Sequence, residues 1–325
     1  MRAFHMFANF MLTVLVVQAL LPRKEWDNFK KNYNKTYSTP EEENYRYFVF
    51  LNSLRQIENL NRRYRNNEIG FSTGVTQFAD LTQEEFDDML HRHFKNAPVT
   101  ETLKSFDSGD PSAPESFDWR ERGAVTRVID QGTCSSCWAI AACGAIEAQR
   151  FIHNGTLEPL SHQNLVDCSG SYGNNGCSGG EAEQAYDFVR DHGIMADADY
   201  PYVEDDQQCK QKGYVTKVKG YFMVERNEVQ IAKALASHGP ISVSMDAGWL
   251  RIYRHGIFDN SIGCKTGEND TNHAVLLVGY GSKGGVDYWI AKNSWGATWG
   301  EEGFFRLKKG ENACGIKNYA AAPIF

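Results

Sequence analysis

The sequence lacks the features that mark several common protein classes. Among its 325 residues, 34 Lys and Arg stand against 41 Asp and Glu, so the formal net charge is −7 and no surface for nucleic acid is indicated. It contains no internal repeat or low-complexity tract, and 42% apolar with 23% charged residues is typical of a globular protein. Its longest apolar run, Met6 to Leu21, has 16 residues, fewer than the roughly 20 of a membrane span. We therefore expect about two packed units, no membrane span and no nucleic-acid partner.

The N-terminal segment has the form of a removable secretory signal. Arg2 precedes the apolar run, and Val17 and Ala19 resemble a signal-peptidase site. We assign residues 1–19 to this signal, since the charged residues that follow disfavour a buried core helix. Export places the eight cysteines where disulfides are permitted. Three Asn-X-Ser/Thr sequons fit the same route, at Asn34, Asn154 and Asn269.

The next region is predicted to be a helical module followed by a connector. From Glu25 to about His93, aromatic and aliphatic residues recur at spacings of three and four, as on an amphipathic helix. Between His93 and Trp119, polar residues, glycine and proline interrupt this pattern and favour extended chain. The connector has the composition of a nicking site, so we expect it to be cut. The helical module would then be removed, and the alternative of a permanent structural helical domain is disfavoured.

The remainder changes from helical to strand-like patterns. Three helices are predicted, over Cys137–His153, after Ser161 and over Glu181–His192. Ser136 is the expected N-cap of the first, and Asn154-Gly155 its stop. Strands are predicted at Ile241–Met245, His273–Tyr280, Asp287–Lys292 and Gly303–Leu307. A helical half followed by a β half predicts two subdomains with a cleft between them.

The segment Gln131–Trp138 carries a candidate nucleophile. Its Cys137 would lie in the first turn of a helix, where unpaired N–H groups and the helix dipole favour negative charge. A thiol there ionises more readily, and the thiolate is the reactive form. An imidazolium nearby lowers the pKa of the thiol further, so a histidine partner is expected.

Sequence context selects His273 from the nine histidines. It opens an apolar strand and lies 136 positions after Cys137. Twenty residues later, the Asn293 side chain can accept a hydrogen bond from the second ring nitrogen and fix the tautomer of the imidazole. Trp295 can cover that hydrogen bond from water.

In this order, these residues resemble those of the papain-like cysteine proteases, and among them the cathepsin L-like branch. The resemblance extends from about Trp26 to Phe325, and the cysteine-to-histidine spacing falls within the family interval of roughly 130–150 residues. It implies an α+β, papain-like two-subdomain fold, with a helical left domain and an antiparallel β-barrel-like right domain, preceded by a helical inhibitory propeptide. The implied catalytic residues are Cys137 as nucleophile, His273 as general base and acid, Asn293 as the residue that orients it, and Gln131 with the Cys137 N–H as oxyanion hole.

The helical module resembles the inhibitory propeptides of the same family. Five residues fall on the interspersed propeptide pattern, namely Glu42, Arg46, Phe50, Ile57 and Asn61. Ser53 stands where an Asn is usual, and residues 74–80 resemble a second propeptide motif in which Thr76 replaces Asn. Such propeptides run through the substrate cleft in reverse and keep the chain inactive. The implied domains are a signal at 1–19, a propeptide at 20–112 and a peptidase domain at 113–325, with a mature start near Ala113.

Cysteine parity fits a free nucleophile. If Cys137 is free, seven cysteines remain, so at least one more has no partner within the chain. The resemblance implies the disulfides Cys134–Cys177, Cys168–Cys209 and Cys264–Cys314, which leaves Cys143. On a helix, Cys143 is rotated by about 240° from Cys137, so we expect it to point away and to pack as a small buried hydrophobe.

The resemblance also implies the substrate-binding residues. Gly179 and Gly180 resemble the backbone segment that pairs with an extended peptide, and Trp295 lies beside the catalytic histidine. The pocket for the second residue before the cut is implied to consist of Ala182, Ser244, Thr271, Ala274 and Tyr319, with Glu181 at its rim. We expect it to prefer an apolar residue of restricted size, because Tyr319 fills its base, and Glu181 to assist a basic residue nearby.

Two positions depart from the family pattern. Ser135 replaces the usual Gly, which puts a side chain beside the primary subsite and removes an easily adopted positive φ, so we expect altered activity. Ile140-Ala141 stands where Phe-Ser is commoner and is interpreted as a packing variant. The occluding insertion with two histidines, found in the exopeptidase branch, has no counterpart here, which favours internal cleavage.

Three alternatives are compatible with parts of this pattern. A thiol–disulfide oxidoreductase would use Cys134 and Cys137 at the helix start, but it has no need of a distant His and Asn. A metal-binding module would add Cys168 and Cys177 as ligands, at a spacing that is wrong for compact zinc sites. A non-catalytic homologue is the third alternative, although every expected catalytic side chain is present.

The sequence thus predicts the zymogen of a cysteine endopeptidase that hydrolyses internal peptide bonds of proteins through a thiolate–imidazolium pair and an acyl-enzyme. No metal and no cofactor are expected. The expected partners are protein and peptide substrates, the chain's own propeptide as intramolecular inhibitor, and cystatin-type inhibitors, with a monomeric mature form. The expected location is the secretory pathway, lysosomal or extracellular, including a digestive lumen.

Overall fold

The computed structural model describes residues 22–90 and 113–325. The predicted signal at 1–19 and residues 91–112 of the predicted connector lie outside these ranges. The helices are α1 over 22–32, α2 Pro40–Arg65, α3 Gln83–Met89, α4 Cys137–Asn154, α5 His162–Cys168, α6 Ala182–His192 and α7 Glu228–Ser237. The strands are β1 Phe71–Thr73, β2 Phe117–Asp118, β3 Gly220–Met223, β4 Ile241–Met245, β5 Tyr253–Phe258, β6 His273–Lys283, β7 Val286–Lys292, β8 Phe304–Lys308 and β9 Tyr319–Ile324.

The first three helices and β1 form an N-terminal unit, residues 22–90, that we call the prosegment. Helix α2 is stabilised at its start by the Thr39 side chain, which accepts from the Glu42 N–H, and by Pro40 in the first turn. Its Phe50 packs with Trp26 and Phe29 in a small aromatic core. The prosegment also joins the main core through its inner apolar side chains, which are Ile57, Leu60, Ile69, Phe71, Phe78, Phe86 and Leu90. Its folding is therefore coupled to that of the remainder of the chain.

Helix α4 is the centre of the helical subdomain. Its first thirteen residues are all buried, because it packs against α5, α6 and the strands β4, β6 and β9. Gly144 permits the approach to β6, since a Cβ at that position would lie 2.7 Å from the Leu276 side chain. The helix ends at Gly155, whose φ of 74° is left-handed. This packing places the start of α4, Cys137, against the strand that begins with His273.

The sheet is mainly antiparallel, in the order β1-β5-β8-β7-β6-β4-β9-β3, with β2 paired to β6. One pair, β5 with β8, is parallel. In the described part of the chain, β1 of the prosegment and β3 are the two edges, so the sheet is not closed into a barrel. The expectation of a barrel-like right domain is corrected in this respect, because strand β1 extends one edge and no pairing joins it to β3.

The predicted elements agree with the structure where the periodicity is strong. The three predicted helices coincide with α4, α5 and α6 within a residue or so, and the predicted strand Ile241–Met245 is β4. Helix α7 and strands β5 and β9 were not predicted. Within the residues described, no helix has both the length and the apolar character that crossing a bilayer requires.

Candidate active site

Cys137 is the first residue of α4 and is buried, with 1% of its surface exposed. The backbone N–H groups of Ala274 and Trp138 favour the thiolate and lower the pKa of its thiol. Burial nevertheless raises the pKa of the thiol to about 12, since desolvation outweighs these donors. The ionisation expected from the helix start therefore does not hold in this state, in which the prosegment is in place. Ser136 is the N-cap residue of α4, as predicted, but its hydroxyl makes a 2.6 Å hydrogen bond to the Tyr202 hydroxyl and none to the helix backbone.

His273 is the first residue of β6. The next residue is Ala274, whose backbone N–H lowers the pKa of the Cys137 thiol. The His273 Nε2 lies 2.8 Å from the Asn293 Oδ1. An amide oxygen only accepts hydrogen bonds, so this contact fixes Nε2 as the protonated nitrogen and leaves Nδ1 for proton exchange. Trp295 stacks on the imidazole with ring centroids 4.8 Å apart. The ring is thus oriented by Asn293 and shielded by Trp295.

Ser294, which sequence reasoning missed, links Asn293 to Gln131. Its N–H donates to the Asn293 Oδ1 at 2.8 Å, and its hydroxyl donates to the Gln131 Oε1 at 2.6 Å. The Gln131 Nε2 donates to the Cys134 carbonyl at 3.0 Å. The signal that could have found Ser294 is its place between Asn293 and Trp295. One buried residue thereby sets the position of both side chains that were expected to assist the cysteine and the histidine.

The predicted peptide-pairing segment has a backbone that excludes side chains. Gly179 has a φ of 117°, which favours glycine strongly. A Cβ at Gly180 would lie 2.3 Å from the Asn174 Oδ1 and 2.7 Å from the Trp138 ring. Asn174 also accepts from the Glu181 N–H at 2.7 Å. The segment is therefore fixed close to the helix that carries Cys137.

The residues expected to form the specificity pocket lie on neighbouring elements. Ser244 is paired with Ala274 on one side and with Tyr319 on the other, so the three share one face of the sheet. Ala182, at the start of α6, joins Ala274 and Cys137 in one hydrophobic cluster. Thr271 is buried just before β6. Glu181 follows Gly180 in the chain, and its charge contributes to the raised pKa of both Cys137 and Tyr319.

One pocket feature was missed by the sequence reasoning. The Arg226 guanidinium lies over the Tyr319 ring, 5.7 Å from its centroid, and pairs with Glu268. Burial raises the pKa of Tyr319, so its hydroxyl is protonated at neutral pH. Arg226 and Glu268 therefore place one positive and one negative charge near the Tyr319 ring, the expected base of the pocket.

The structure contains three disulfides, Cys134–Cys177, Cys168–Cys209 and Cys264–Cys314, the pairs that the resemblance implied. Cys137 and Cys143 are free. The oxidoreductase and metal-binding alternatives lose their ligand sets, because Cys134 is bonded to Cys177 and Cys168 to Cys209. Ser135 is not among the described residues with positive φ, so the expected backbone strain there is absent.

Behind the site, a buried polar cluster joins α4 to β7. The Thr126 hydroxyl donates to Glu147 of α4 at 2.6 Å and accepts from Lys292, the residue before Asn293, at 3.0 Å. Burial raises the pKa of Glu147 and lowers that of Lys292. The cluster, together with Cys143 and His162, lines a cavity of about 10 Å³. Cys143 is thus buried, as expected, but beside charged groups.

We expect the Glu147→Gln variant to lose about 3 kcal/mol of unfolding free energy, because it leaves the Lys292 charge buried without a counter-charge. The double variant Glu147→Gln, Lys292→Met removes both charges and should lie within about 1 kcal/mol of the wild type. Urea unfolding of the full chain at neutral pH measures both values. Additive losses in the double variant would show that the two charges do not interact.

The prosegment covers this site. Phe78 and Phe86 pack edge-on against Trp295, with ring centroids 5.3 and 5.5 Å away. The Gln77 Nε2 donates to the Trp295 carbonyl at 2.7 Å. Strand β1 pairs with β5 and adds the prosegment to the sheet. The same contacts that bury Trp295 therefore help to exclude solvent from the His273 ring stacked on it.

Arg251, which the sequence reasoning did not identify, anchors the prosegment. It lies in the 3₁₀-helix Gly248–Ile252, and its guanidinium is buried in the interface. It donates to four prosegment acceptors, the Ser53 hydroxyl, the Gln56 side chain and the carbonyls of Phe78 and Leu81, at 2.9 to 3.2 Å. The Thr76 hydroxyl donates to the Arg251 carbonyl at 2.5 Å. Ser53 and Thr76, the two departures from the propeptide motifs, thus both bind Arg251.

This geometry is that of a cysteine hydrolase in which a buried thiol with a raised pKa lies beneath the chain's own N-terminal unit. Residues 113–324 match the family model of the papain family cysteine proteases, and residues 26–86 match that of the cathepsin propeptide inhibitor domain. The chain belongs to the papain family of cysteine proteases, in the form of a zymogen with an inhibitory prosegment.

Individual relatives agree with this family. A cathepsin L-like proteinase of Phaedon cochleariae is 41% identical over 315 residues, with 96% of each chain covered. Digestive cysteine proteinase 1 of Homarus americanus is 40% identical, over 92% of this chain and 94% of its own. The structure of digestive procathepsin L 3 from the Tenebrio molitor larval midgut superposes with a TM-score of 0.87 at 37% identity, over 94% of this chain and 99% of the other.

Proposed function

We propose that Cys137 is the nucleophile, His273 the general acid and base, and Asn293 the residue that orients His273. Gln131 and the Cys137 N–H are proposed to stabilise the oxyanion. The observation that carries this proposal is that Cys137 packs in one cluster with Ala274, the neighbour of His273, whose ring is held by the hydrogen bond to Asn293. Ser294 is proposed as a positioning residue for Asn293 and Gln131.

In the proposed reaction, the Cys137 thiolate attacks the carbonyl carbon of the scissile bond, and a tetrahedral oxyanion forms. His273 donates its proton to the leaving amine, which departs and leaves a thioester acyl-enzyme. Water then attacks the thioester while His273 accepts its proton. The carbon–sulfur bond breaks, the carboxylic product leaves, and the Cys137 thiolate remains on the enzyme. His273 gives one proton to the leaving amine and regains one from water. The cycle therefore ends, as it began, with an imidazolium beside the thiolate.

We expect a bell-shaped pH profile for peptide hydrolysis by the processed enzyme. Activity falls at low pH as the thiolate is protonated and at high pH as the imidazolium loses its proton, and both limbs belong to the coupled pair. In the proform the thiol pKa is about 12, so alkylation of Cys137 by iodoacetamide should instead rise about tenfold per pH unit between pH 6 and 9. A processed enzyme whose activity is constant over this range would contradict the proposed pair.

A labelled epoxide inhibitor tests the proposal against a non-catalytic homologue. After acid processing, the epoxide should modify Cys137, and peptide mapping would locate the label. A processed chain that remains unlabelled at Cys137 would favour the non-catalytic alternative.

We further propose the domain boundaries 1–19 for a signal, 20–112 for the propeptide and 113–325 for the peptidase domain. Family matches that begin at residue 113 and cover 26–86 support the last two boundaries. The proposed destination is the secretory pathway, lysosomal or extracellular, and the digestive enzymes among the relatives support a digestive lumen. We propose a monomeric mature form that cystatin-type inhibitors bind.

Glycosylation and pocket preference complete the proposal. Asn34, Asn154 and Asn269 are exposed, as acceptor asparagines must be. The pocket around Ser244 and Tyr319 is proposed to accept an apolar residue of restricted size. A basic residue near its rim would interact with Glu181, and a positional-scanning peptide library that shows no penalty for acidic residues there would contradict this charge effect.

A further inference from the structure

Ser135 lies two residues before Cys137 and is partly exposed with the prosegment in place. Its backbone is fixed without help from the prosegment, because its N–H donates to the Cys177 carbonyl at 3.0 Å and the Cys134–Cys177 disulfide joins the same two segments. Its φ is not positive, so the serine occupies this position without backbone strain. The hydroxyl is therefore carried by a rigid part of the peptidase domain.

That hydroxyl donates to the Met89 carbonyl of the prosegment at 2.9 Å. Met89 is the last residue of α3, and the next residue, Leu90, is extended with φ −72° and ψ 146°. The acceptor is a main-chain atom, which any peptide can supply whatever its side chains. The contact is thus made where the chain changes from helix to the extended form in which a protease binds peptides.

We propose that the Ser135 hydroxyl is a substrate-binding donor. Once the prosegment has left, it donates a hydrogen bond to a main-chain carbonyl of the bound peptide. The donor stays in place, since its backbone contacts are internal to the peptidase domain, and only the acceptor is exchanged. A glycine at this position, as the family pattern has it, would lack such a donor. This assignment rests on the proposed peptidase function and adds a contact to it.

The hydrogen bond should strengthen substrate binding and leave the chemical step unchanged, because Ser135 does not reach the groups that react. For processed Ser135→Ala and Ser135→Gly we expect KM to rise about three- to tenfold with kcat unchanged, the loss of one neutral hydrogen bond. Ser135→Thr keeps the hydroxyl and should restore KM to within about twofold. Ser237→Ala is the matched control, since it removes an exposed hydroxyl that donates to Lys233 on α7.

A substrate series identifies the acceptor. In each peptide, one backbone carbonyl on the N-terminal side of the cut is replaced by a methylene group. At one position the replacement should raise KM of the wild type and have no further effect in Ser135→Ala, as a double-mutant cycle requires for two groups that bind each other.

Equal KM values for the wild type, Ser135→Ala and Ser135→Gly, with a wild type that hydrolyses peptides, would overturn this assignment alone. A processed wild type that hydrolyses no peptide would overturn the proposed function and the assignment with it. The zymogen gives a readout without turnover: the Ser135→Ala proform should react with a small epoxide at Cys137 about three- to tenfold faster than the wild type, because the Met89 contact is lost. An unchanged rate would show that the hydroxyl contributes no binding energy to a chain in the cleft.

Discussion

The Cys137→Ala variant should hydrolyse peptides at least about 10⁴-fold more slowly than the wild type and should fail to process itself in acid. In the proposed mechanism the sulfur forms the acyl-enzyme, and oxyanion stabilisation and substrate binding alone retain only a small part of catalysis. The loss of one buried sulfur leaves the prosegment contacts intact, because none of those described above involves Cys137. The two measurements are peptide hydrolysis after acid incubation and N-terminal sequencing of the products.

The chain offers a matched control on the same helix. Cys143 is the second free thiol and is also buried, but it lies beside Glu147 and Lys292 and not in the cleft. Cys143→Ala should process itself and hydrolyse peptides as the wild type does. A new N-terminus near Ala113 in both the wild type and Cys143→Ala, absent from Cys137→Ala, would establish activity and self-processing together. A Cys137→Ala chain that is processed at the wild-type rate would contradict the proposed nucleophile.

The Arg251→Met variant should expose the active-site thiol in the proform. It deletes four hydrogen bonds to the prosegment and leaves buried acceptors without a donor, at a cost of about 1 kcal/mol or more for each. Four such losses correspond to about a 10³-fold shift of the prosegment towards release. The rate at which an epoxide modifies Cys137 of the full-length proform at neutral pH measures this shift.

The Arg254→Met variant is the control for Arg251→Met. Arg254 is an exposed residue of β5, the strand that pairs with β1; its guanidinium donates to the Thr298 carbonyl, and within the described residues no side-chain hydrogen bond joins it to the prosegment. Its loss should change the labelling rate by less than about threefold. After acid processing, Arg251→Met should hydrolyse peptides normally, since its side-chain partners leave with the prosegment. An Arg251→Met proform labelled as slowly as the wild type would contradict the proposed anchor.

The sequence predicted those elements whose periodicity and punctuation are local. Helix α4 follows from its many alanines and from Gly155, and β4 from its β-branched residues. Strand β9 was missed because Tyr319–Ile324 contains three alanines and a proline, which have low strand propensity. It is a strand because β4 and β3 pair with it on either side and bury it. Helix α7 was missed because the second half of the chain was interpreted as strand throughout.

Local reasoning also misjudged two groups at the site. The Cys137 thiol was expected to ionise more readily because it begins a helix, but it is buried, and its desolvation raises the pKa more than the nearby backbone N–H groups lower it. Ser136 was expected to cap that helix, but Tyr202, remote in sequence, takes its hydroxyl. In both cases packing against residues remote in sequence decides the state of the group.

What the sequence determined alone was the kind of chemistry, and it supplied the side chains that we propose to carry it, since the order and spacing of Cys137, His273 and Asn293 are properties of the chain itself. Tertiary structure alone decided how those side chains are held: Ser294 joins Asn293 to Gln131, Arg251 binds the prosegment, and Ser135 faces the Met89 carbonyl. The physical reason is that a hydrogen bond depends on distance and direction between atoms, and these are set by packing between segments far apart in the sequence.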